Sequence, residues 1–153
     1  MSRGDQETVN IFVAGGAGFI GSHMVAHLMR TTAHHITVFD NFSSGREWHL
    51  DPYRGNSRLR VVRGDLKDAE SVAAAIAGAE RVYHYASNPD IAKAMKHPDV
   101  DFWEGTYLTQ NLLEGIRIAG VRELVYASGS GVYGDVGDRP VTEDCAPMRS
   151  EEH

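Results

Sequence analysis

The sequence predicts an α/β protein in which helices alternate with the parallel strands of one open sheet. Three observations support this prediction. Short apolar runs alternate with segments of helical periodicity, a glycine-rich turn joins the first run to the first helical segment, and 153 residues suffice for one domain and not two. Right-handed crossovers in such a series place the strands parallel to one another.

The first predicted unit is a strand, a glycine-rich turn and a helix. Val9 to Ala14 is short, rich in Val, Ile and Phe, and ends in glycines, which is typical of a buried parallel strand. After the turn, Ile20, Met24 and Leu28 recur every four residues. This spacing marks one face of a helix that ends near Thr31.

The middle of the chain predicts two more strands and an alanine-rich helix. Ile36 to Phe39 and Leu59 to Val62 are apolar runs of strand length. The polar stretch between them, Asn41 to Ser57, is expected to be a loop with a short helical turn. Asp68 precedes the helix predicted over Ala69 to Ala77 and is suited to cap it.

The last two predicted strands enclose one long helical segment. Arg81 to Tyr85 and Leu124 to Ala127 are the fourth and fifth strands. Between them a helix is predicted over Pro98 to Ala119, and Gly120 ends it. The apolar residues that indicate it are Phe102, Leu108, Leu112 and Ile116. The stripe of Leu108, Leu112 and Ile116 is expected to face the core or an oligomer interface.

Composition and charge exclude several classes of protein. A chain that is 42% hydrophobic and 24% charged is globular, so disorder and collagen-like structure are excluded. Fifteen Lys and Arg stand against 21 scattered Asp and Glu, which disfavours nucleic acid as a partner. The single Cys145 cannot form an internal disulfide, and the sequence shows neither a signal peptide nor an apolar run of membrane-spanning length. A cytoplasmic location is therefore expected.

The glycine-rich turn is the strongest functional signal. The sequence Gly15-Gly16-Ala17-Gly18-Phe19-Ile20-Gly21 follows a predicted strand and opens a predicted helix. Gly15 permits the tight turn, Gly18 lets the backbone approach a pyrophosphate, and Gly21 lets helix and strand pack closely. The alternative, a turn needed only for packing, is disfavoured by this strand and helix context.

An acidic residue at the end of the second strand is the next signal. Asp40 comes nineteen positions after Gly21, close to the offset of roughly 20 residues at which an acid binds the adenosine ribose. Its carboxylate would repel the 2′-phosphate of NADP, which favours NAD. Arg46 lies nearby in the sequence and could weaken that repulsion. A turn-forming role at the strand end is the alternative for Asp40.

With these motifs in place, the sequence resembles the extended short-chain dehydrogenase/reductase superfamily, and within it the NAD-dependent nucleotide-sugar epimerases and dehydratases. The resemblance covers residues 9 to 147. Its further segments are Asp40-Asn41-Phe42, Gly64-Asp65-Leu66, Val82 to Ser87, Gly105-Thr106, Asn111 to Glu114 and Tyr126 to Gly134. It implies a Rossmann-type doubly wound sheet of strand order 3-2-1-4-5, with NAD as the cofactor.

The resemblance also implies which residues serve the cofactor and the reaction. Those expected to contact NAD are Gly15, Gly18, Phe19, Ile20, Gly21, Asp40, Asn41, Ser43, Ser44, Gly45, Asp65, Leu66, Tyr85, Ala86 and Ser87. Tyr85 stands where the family more often has leucine. The family's catalytic Ser or Thr falls on Gly129, so Ser128 and Ser130 on either side are the catalytic candidates, with a Gly-Ser turn as the alternative. Phe102 replaces an Asn of the family.

The expected function is that of the NAD-binding part of a nucleotide-sugar epimerase or dehydratase, which moves a hydride to and from the carbon of a sugar hydroxyl. The Tyr-x-x-x-Lys pair of such enzymes should follow the region of Pro147, and these 153 residues lack it. The chain alone is therefore expected not to be catalytically competent. The alternatives are a non-catalytic dinucleotide-binding module and, opposed by Asp40, an NADPH-dependent reductase relative.

The expected organisation is an NAD-binding domain over residues 1–134 and a polar tail over residues 135–153, truncated before the family's substrate-binding lobe. The expected partners are a nucleotide-sugar substrate in the full-length family and a second copy of the chain, joined through the edge of the fifth strand or through the last helix. No metal is expected, because His23 and His27 share a helix face without a third ligand nearby.

Overall fold

The structure is a computed structural model that describes residues 8–88, 96–97, 99–134 and 137–146. In this part of the chain, five parallel strands make up one sheet. The strands are β1 (Asn10–Ala14), β2 (His35–Asp40), β3 (Leu59–Arg63), β4 (Arg81–His84) and β5 (Glu123–Tyr126). Their order is β3-β2-β1-β4-β5, and each neighbouring pair is parallel. The predicted Rossmann-type sheet of order 3-2-1-4-5 is confirmed.

The helices lie where the sequence predicts them, with one irregularity. They are α1 (Phe19–Thr31), α2 (Ala69–Ile76) and α3 (Leu108–Ala119). A helical turn at Asp99–Asp101 and a π-helical segment at Phe102–Tyr107 lead into α3, so the predicted helix is present without being α-helical throughout. Pro98, its predicted first residue, lies outside the described residues.

The connections agree with the predicted caps and loops. Asp68 caps α2, since its Oδ1 accepts hydrogen bonds from the backbone N–H groups of Glu70 (3.1 Å) and Ser71 (3.2 Å). Gly120 follows α3 with a φ of 70°, a left-handed conformation that suits glycine. Two short 3₁₀ turns, Glu47–His49 and Asp51–Tyr53, lie in the predicted loop. A further 3₁₀ turn at Ser130–Tyr133 is not foreseen by the sequence.

Apolar side chains cover both faces of the sheet, which explains why residues 11–14 of β1 are all apolar and buried. Phe12 and Ala14 belong to the core cluster under α2 and α3. Ile11 and Val13 point the other way, into the cluster under α1. The largest fully buried side chains of these two clusters are Phe12, Phe39, Ile11, Ile36, Ile76 and Leu112.

The apolar residues that indicate α1 and α3 in the sequence are not all buried. Leu108 and Leu112 are buried and Ile116 packs against them, so this part of the α3 stripe is core. Phe102, however, is 49% exposed. On α1, Ile20 is 59% exposed because the first turn projects past the strand ends. The buried face of α1 consists of Gly21, Ser22, Val25, Leu28 and Met29.

The side chains of β5 are the most exposed of the sheet. Leu124, Val125 and Tyr126 are 40%, 44% and 58% exposed. Within the described part of the chain, no strand pairs with the outer edge of β5. Residues 137–146 contain neither helix nor strand, and residues 135–136 and 147–153 of the predicted polar tail lie outside the described residues. No described helix is long and apolar enough to cross a membrane.

Candidate functional site

A cleft of about 670 Å³ lies at the carboxyl ends of the strands. The chain winds from β1 outward through β2 to β3 and then returns to the other side of β1 with β4. Such a reversal leaves a crevice between the two central connections, and ligands of open α/β sheets bind there. The volume is within the range of about 300–1,000 Å³ that is usual for small-molecule sites.

The glycine-rich turn brings two connections into contact at the floor of the cleft. Gly15 has a φ of 75°, and a Cβ at this position would lie 2.6 Å from the backbone nitrogen of Ala86. A Cβ at Gly21 would lie 2.2 Å from the carbonyl oxygen of Gly15. A Cβ at Gly18 would have only that same oxygen within 4 Å, at a distance of 3.3 Å. The first two glycines are therefore required for packing, whereas Gly18 keeps the backbone open toward the cleft.

The amino terminus of α1 presents backbone N–H groups to the cleft that have no partner within the helix. Gly18 is the N-cap residue, no side chain caps the helix, and the first turn has no acidic residue. The first amides of a helix have no partner within it, and the helix dipole adds partial positive charge. Phe19 and Ile20 line the cleft there, with exposed fractions of 75% and 59%. This terminus is suited to an anionic ligand.

Asp40 lies at the end of β2, lines the cleft and is only 8% exposed. Its Oδ2 accepts a hydrogen bond from the Ala17 backbone N–H at 2.9 Å, and its Oδ1 accepts one from the Phe42 N–H at 2.8 Å. The carboxylate thereby fixes both the glycine-rich turn and the loop after β2. Each oxygen has a second lone pair for a ligand hydroxyl. The turn-forming role that the sequence left open is thus compatible with ribose binding.

The loop after β2 contains Arg46, whose side chain is held away from the cleft. Arg46 donates a hydrogen bond from Nη1 to the carbonyl oxygen of Gly45 at 3.0 Å, and Arg46 is absent from the cleft lining. Phe42 has a φ of 59°, a left-handed conformation that is costly for an aromatic residue. The bond from its N–H to Asp40 offsets part of that cost.

The connection after β3 contributes a charged cluster. The Asp65 Oδ1 accepts a hydrogen bond from the Lys67 backbone N–H at 2.9 Å, and Leu66 is buried beside it. The Lys67 ammonium is paired with the Glu104 carboxylate and lies 3.5 Å from the Asp65 Oδ2. The hydrogen bond to Glu104 raises the pKa of Lys67 above its ordinary value, so this side chain is a cation at neutral pH.

The connection after β4 forms the opposite wall. Tyr85, Ala86 and Ser87 line the cleft, and burial raises the pKa of the Tyr85 phenol. The preceding His84 is buried, with its Nε2 3.0 Å from the Thr109 hydroxyl and its Nδ1 without a hydrogen-bond partner among the described residues. Burial lowers the pKa of His84 to about 4, so the imidazole is neutral at pH 7.

The structure gathers the predicted cofactor residues in one place, with one exception. All of them line the cleft except Gly45, which packs behind Asp40, since a Cβ at Gly45 would lie 2.8 Å from the Asp40 Oδ1. Sequence reasoning missed other lining residues, namely Phe39, Gly64, Lys67, Asn88, Val100, Glu104 and Leu108. Lys67 directly follows the predicted Asp65-Leu66 pair, and Glu104 directly precedes the Gly105-Thr106 motif, so both had a positional signal.

The two catalytic candidates follow β5. Ser128 is exposed and does not line the cleft, and the side chain of Ser130 lies outside the described residues. A Cβ at Gly129 would meet nothing within 4 Å. Within the described part of the chain, His23 and His27 belong to no group of three or more side chains suited to a metal ion. The catalytic assignments remain predictions.

Comparison with known proteins connects this cleft to a family. A family model described as the NAD dependent epimerase/dehydratase family matches residues 11–152. The UDP-glucose 4-epimerase of Corynebacterium glutamicum is 31% identical over 137 residues, which is 89% of this chain and 40% of that protein. The UDP-glucuronic acid decarboxylase 1 of Danio rerio is 32% identical over 92% of this chain and 32% of that protein.

Solved structures of similar proteins also connect this chain to epimerases and dehydratases. The dTDP-glucose 4,6-dehydratase of Streptomyces venezuelae, solved with NAD bound, superimposes with a TM-score of 0.78 and 31% identity over 91% of this chain and 45% of that one. The UDP-glucose 4-epimerase of Stenotrophomonas maltophila, also with NAD bound, has a TM-score of 0.77 and 26% identity over 92% of this chain and 43% of that one. The chain thus spans less than half the length of these similar proteins.

Proposed function

We propose that this chain, which belongs to the NAD dependent epimerase/dehydratase family, binds NAD in the cleft and is the cofactor-binding part of an enzyme that acts on nucleotide sugars. One observation carries the proposal. The Gly15 contact with Ala86 closes the floor of the cleft directly beside the uncapped amino terminus of α1. That arrangement presents backbone donors to a pyrophosphate at close range.

Each part of the dinucleotide has residues of matching chemistry. The backbone at Gly18 and the first amides of α1 suit the pyrophosphate. The Asp40 carboxylate suits the adenosine ribose, and Leu66 offers an apolar surface to the base. The nicotinamide end then lies toward the connection after β4, where Tyr85 and its neighbours form the wall. Residues from the connections after β1, β2, β3 and β4 all line the cleft.

The reaction itself needs groups that these 153 residues do not supply. Bound NAD provides a hydride acceptor and donor for a carbon that bears a hydroxyl group. The residues that line the cleft would hold and orient it. Proton transfer at the sugar hydroxyl requires a positioned acid/base group, and the chain has no Tyr-x-x-x-Lys pair. We therefore infer that turnover depends on groups outside these residues.

The similar proteins support a proposal for the class of substrate. The relatives described above act on UDP-glucose, UDP-glucuronic acid or dTDP-glucose, according to their names. What these names share is a sugar attached to a nucleoside diphosphate. A nucleotide sugar is therefore the proposed substrate class for the protein to which this cofactor site belongs. Whether an epimerisation, a dehydration or a decarboxylation follows depends on residues beyond the cofactor cleft.

The proposal is tested by calorimetric titration of NAD into the purified chain and two glycine variants. Gly15→Ala should abolish binding, because its Cβ would collide with Ala86 at the floor of the cleft. Gly55→Ala is the matched control, since Gly55 has a similar φ of 80° and a methyl group there would meet nothing within 4 Å. Gly18→Val should weaken binding with a milder packing conflict, since a Cβ there would lie 3.3 Å from the Gly15 carbonyl oxygen. Unchanged affinity in both Gly15→Ala and Gly18→Val would refute the proposal.

A further inference from the structure

A chain of four polar side chains follows one side of the cleft, and we refer to it as the rim chain: Asn41, Asp65, Lys67 and Glu104. The Asn41 Nδ2 lies 3.5 Å from the Asp65 Oδ2. The same Asp65 oxygen lies 3.5 Å from the Lys67 ammonium, which is also paired with Glu104. The rim chain therefore connects the loops after β2 and β3 with the π-helical segment before α3.

The rim chain lies at the base end of the cleft, if NAD binds there as proposed. The pyrophosphate position is set by α1 and the ribose position by Asp40 at the end of β2. β3 is the next strand outward from β2. A base that extends from the ribose away from the pyrophosphate therefore reaches the connection after β3, where Asp65 and Leu66 line the cleft.

The Lys67 ammonium lies closer to the Glu104 carboxylate than to the Asp65 carboxylate. Its contact with Glu104 is a short, charge-assisted hydrogen bond, whereas 3.5 Å to Asp65 exceeds the usual 2.7–2.9 Å of such a bond. The backbone of this segment is anchored, since Asn111 donates from Nδ2 to the carbonyl oxygens of Leu66 (3.0 Å) and Lys67 (3.1 Å). A change of partner by the lysine therefore requires movement of side chains and not of this backbone.

We propose that Glu104 is a specificity-determining positioning residue: it holds the Lys67 ammonium so that the Asp65 carboxylate stays available to accept a hydrogen bond from the 6-amino group of adenine. The site then prefers a dinucleotide with a 6-amino purine over one with a 6-oxo purine. This inference rests on the proposed function, because it assigns the base end of the same cleft.

The chemistry of the two bases explains why the lysine matters. A 6-amino group donates to a carboxylate, whereas a 6-oxo group is an acceptor and is repelled by it. If the ammonium moved onto Asp65, it would compete with the 6-amino group for the carboxylate oxygen. The same ammonium would offer a donor to a 6-oxo group. Release of Lys67 from Glu104 would thus weaken binding of the 6-amino purine and strengthen binding of the 6-oxo purine. Removal of Lys67 would leave the preference for the 6-amino purine intact.

The test compares NAD with nicotinamide hypoxanthine dinucleotide, its 6-oxo analogue, by calorimetric titration of the purified chain and its variants. Glu104→Gln keeps the side-chain shape and removes the charge, so the ratio of the two affinities should fall by about tenfold, the effect of one hydrogen bond to a charged group. Lys67→Met should retain the preference for NAD, and so should the double variant. A merely structural role would not give opposite results for the two partners of one ion pair.

A control variant on α3 separates this effect from a general loss of charge. Glu114→Gln removes one partner of the exposed Glu114–Arg117 ion pair, away from the cleft, and should leave the ratio unchanged. An unchanged ratio in Glu104→Gln, with NAD still bound, would overturn the inference alone. An equal fall in Lys67→Met and Glu104→Gln would also overturn it. If the unmodified chain bound neither dinucleotide, the proposed function itself would fail.

Discussion

At the residue scale, Asp40 holds the backbone and faces the cleft at the same time. Asp40→Ala should therefore narrow the preference for NAD over NADP, because the carboxylate that repels a 2′-phosphate is gone. It should also lower the melting temperature, because the Ala17 and Phe42 amides lose their acceptor. Titration with both dinucleotides measures the first effect. Asp51→Ala, at an exposed ion pair with Arg54, is the control, and equal affinity of the unmodified chain for both would contradict the assignment.

His84 makes stability depend on pH. Its pKa is about 4 in the folded chain because of burial, and near 6.5 in the unfolded chain. Between these values the unfolded chain binds more protons, so the free energy of unfolding falls as the pH falls, by up to about 3 kcal/mol from pH 7 to pH 4. Urea denaturation at several pH values measures the loss.

His84→Gln should remove most of this pH dependence while lowering stability at pH 7. The comparison of the two pH profiles isolates His84 from the carboxylates that titrate in the same range. His35→Gln, at an exposed histidine of β2, is the control for the replacement of a histidine by glutamine. A His84→Gln profile parallel to that of the unmodified chain would contradict the expected role of His84.

At the scale of elements, the outer edge of β5 is the feature with the clearest consequence. Its apolar side chains are exposed, and a bare strand edge favours pairing with another chain. We therefore expect the chain to self-associate at micromolar concentration, as light scattering would show. Val125→Lys on β5 should reduce the association if the strand edge is the interface, and Ile118→Lys on α3 should do so if the exposed face of that helix is the interface. A strictly monomeric species would contradict the prediction.

The elements also show which features local sequence predicts. β1, β2 and α2 follow from apolar runs and from the cap at Asp68, because a strand buried on both faces and a capped alanine-rich helix have local signals. The π-helical segment does not, since it is identified by hydrogen bonding and not by composition. Its wider turn changes the angular position of Phe102 relative to Leu108, so Phe102 is exposed, whereas the predicted stripe of Leu108, Leu112 and Ile116 packs in the core.

The candidate site likewise contains some residues that the local sequence predicts and others that it does not. The glycine-rich turn and Asp40 are predictable because their spacing along the chain reflects one strand–turn–helix unit. The pairing of Lys67 with Glu104 is not, because 37 residues separate them and only the packing of α3 against α2 brings them together. Gly45 illustrates the reverse case, in which a residue in the right segment packs behind the site and does not line it.

At the scale of the whole molecule, cofactor binding and turnover are expected to be separable. The purified chain should bind NAD yet give no measurable conversion of UDP-glucose or dTDP-glucose, because the acid/base pair is absent and the loss of one such group alone costs roughly 10²–10⁴ in rate. Chromatography of the sugar nucleotides after incubation measures this. Robust conversion by protein of verified 153-residue mass would contradict it and would implicate Ser130, Tyr133 or a second copy of the chain.

The central claim is that the cleft at the carboxyl ends of the strands is the NAD site. A crystal structure of the chain grown with NAD tests this claim most directly. We expect the pyrophosphate at the amino terminus of α1 beside Gly18, the adenosine ribose on the Asp40 carboxylate, and the base beside Leu66. NAD bound elsewhere, or in this cleft with its two ends exchanged, would contradict the claim.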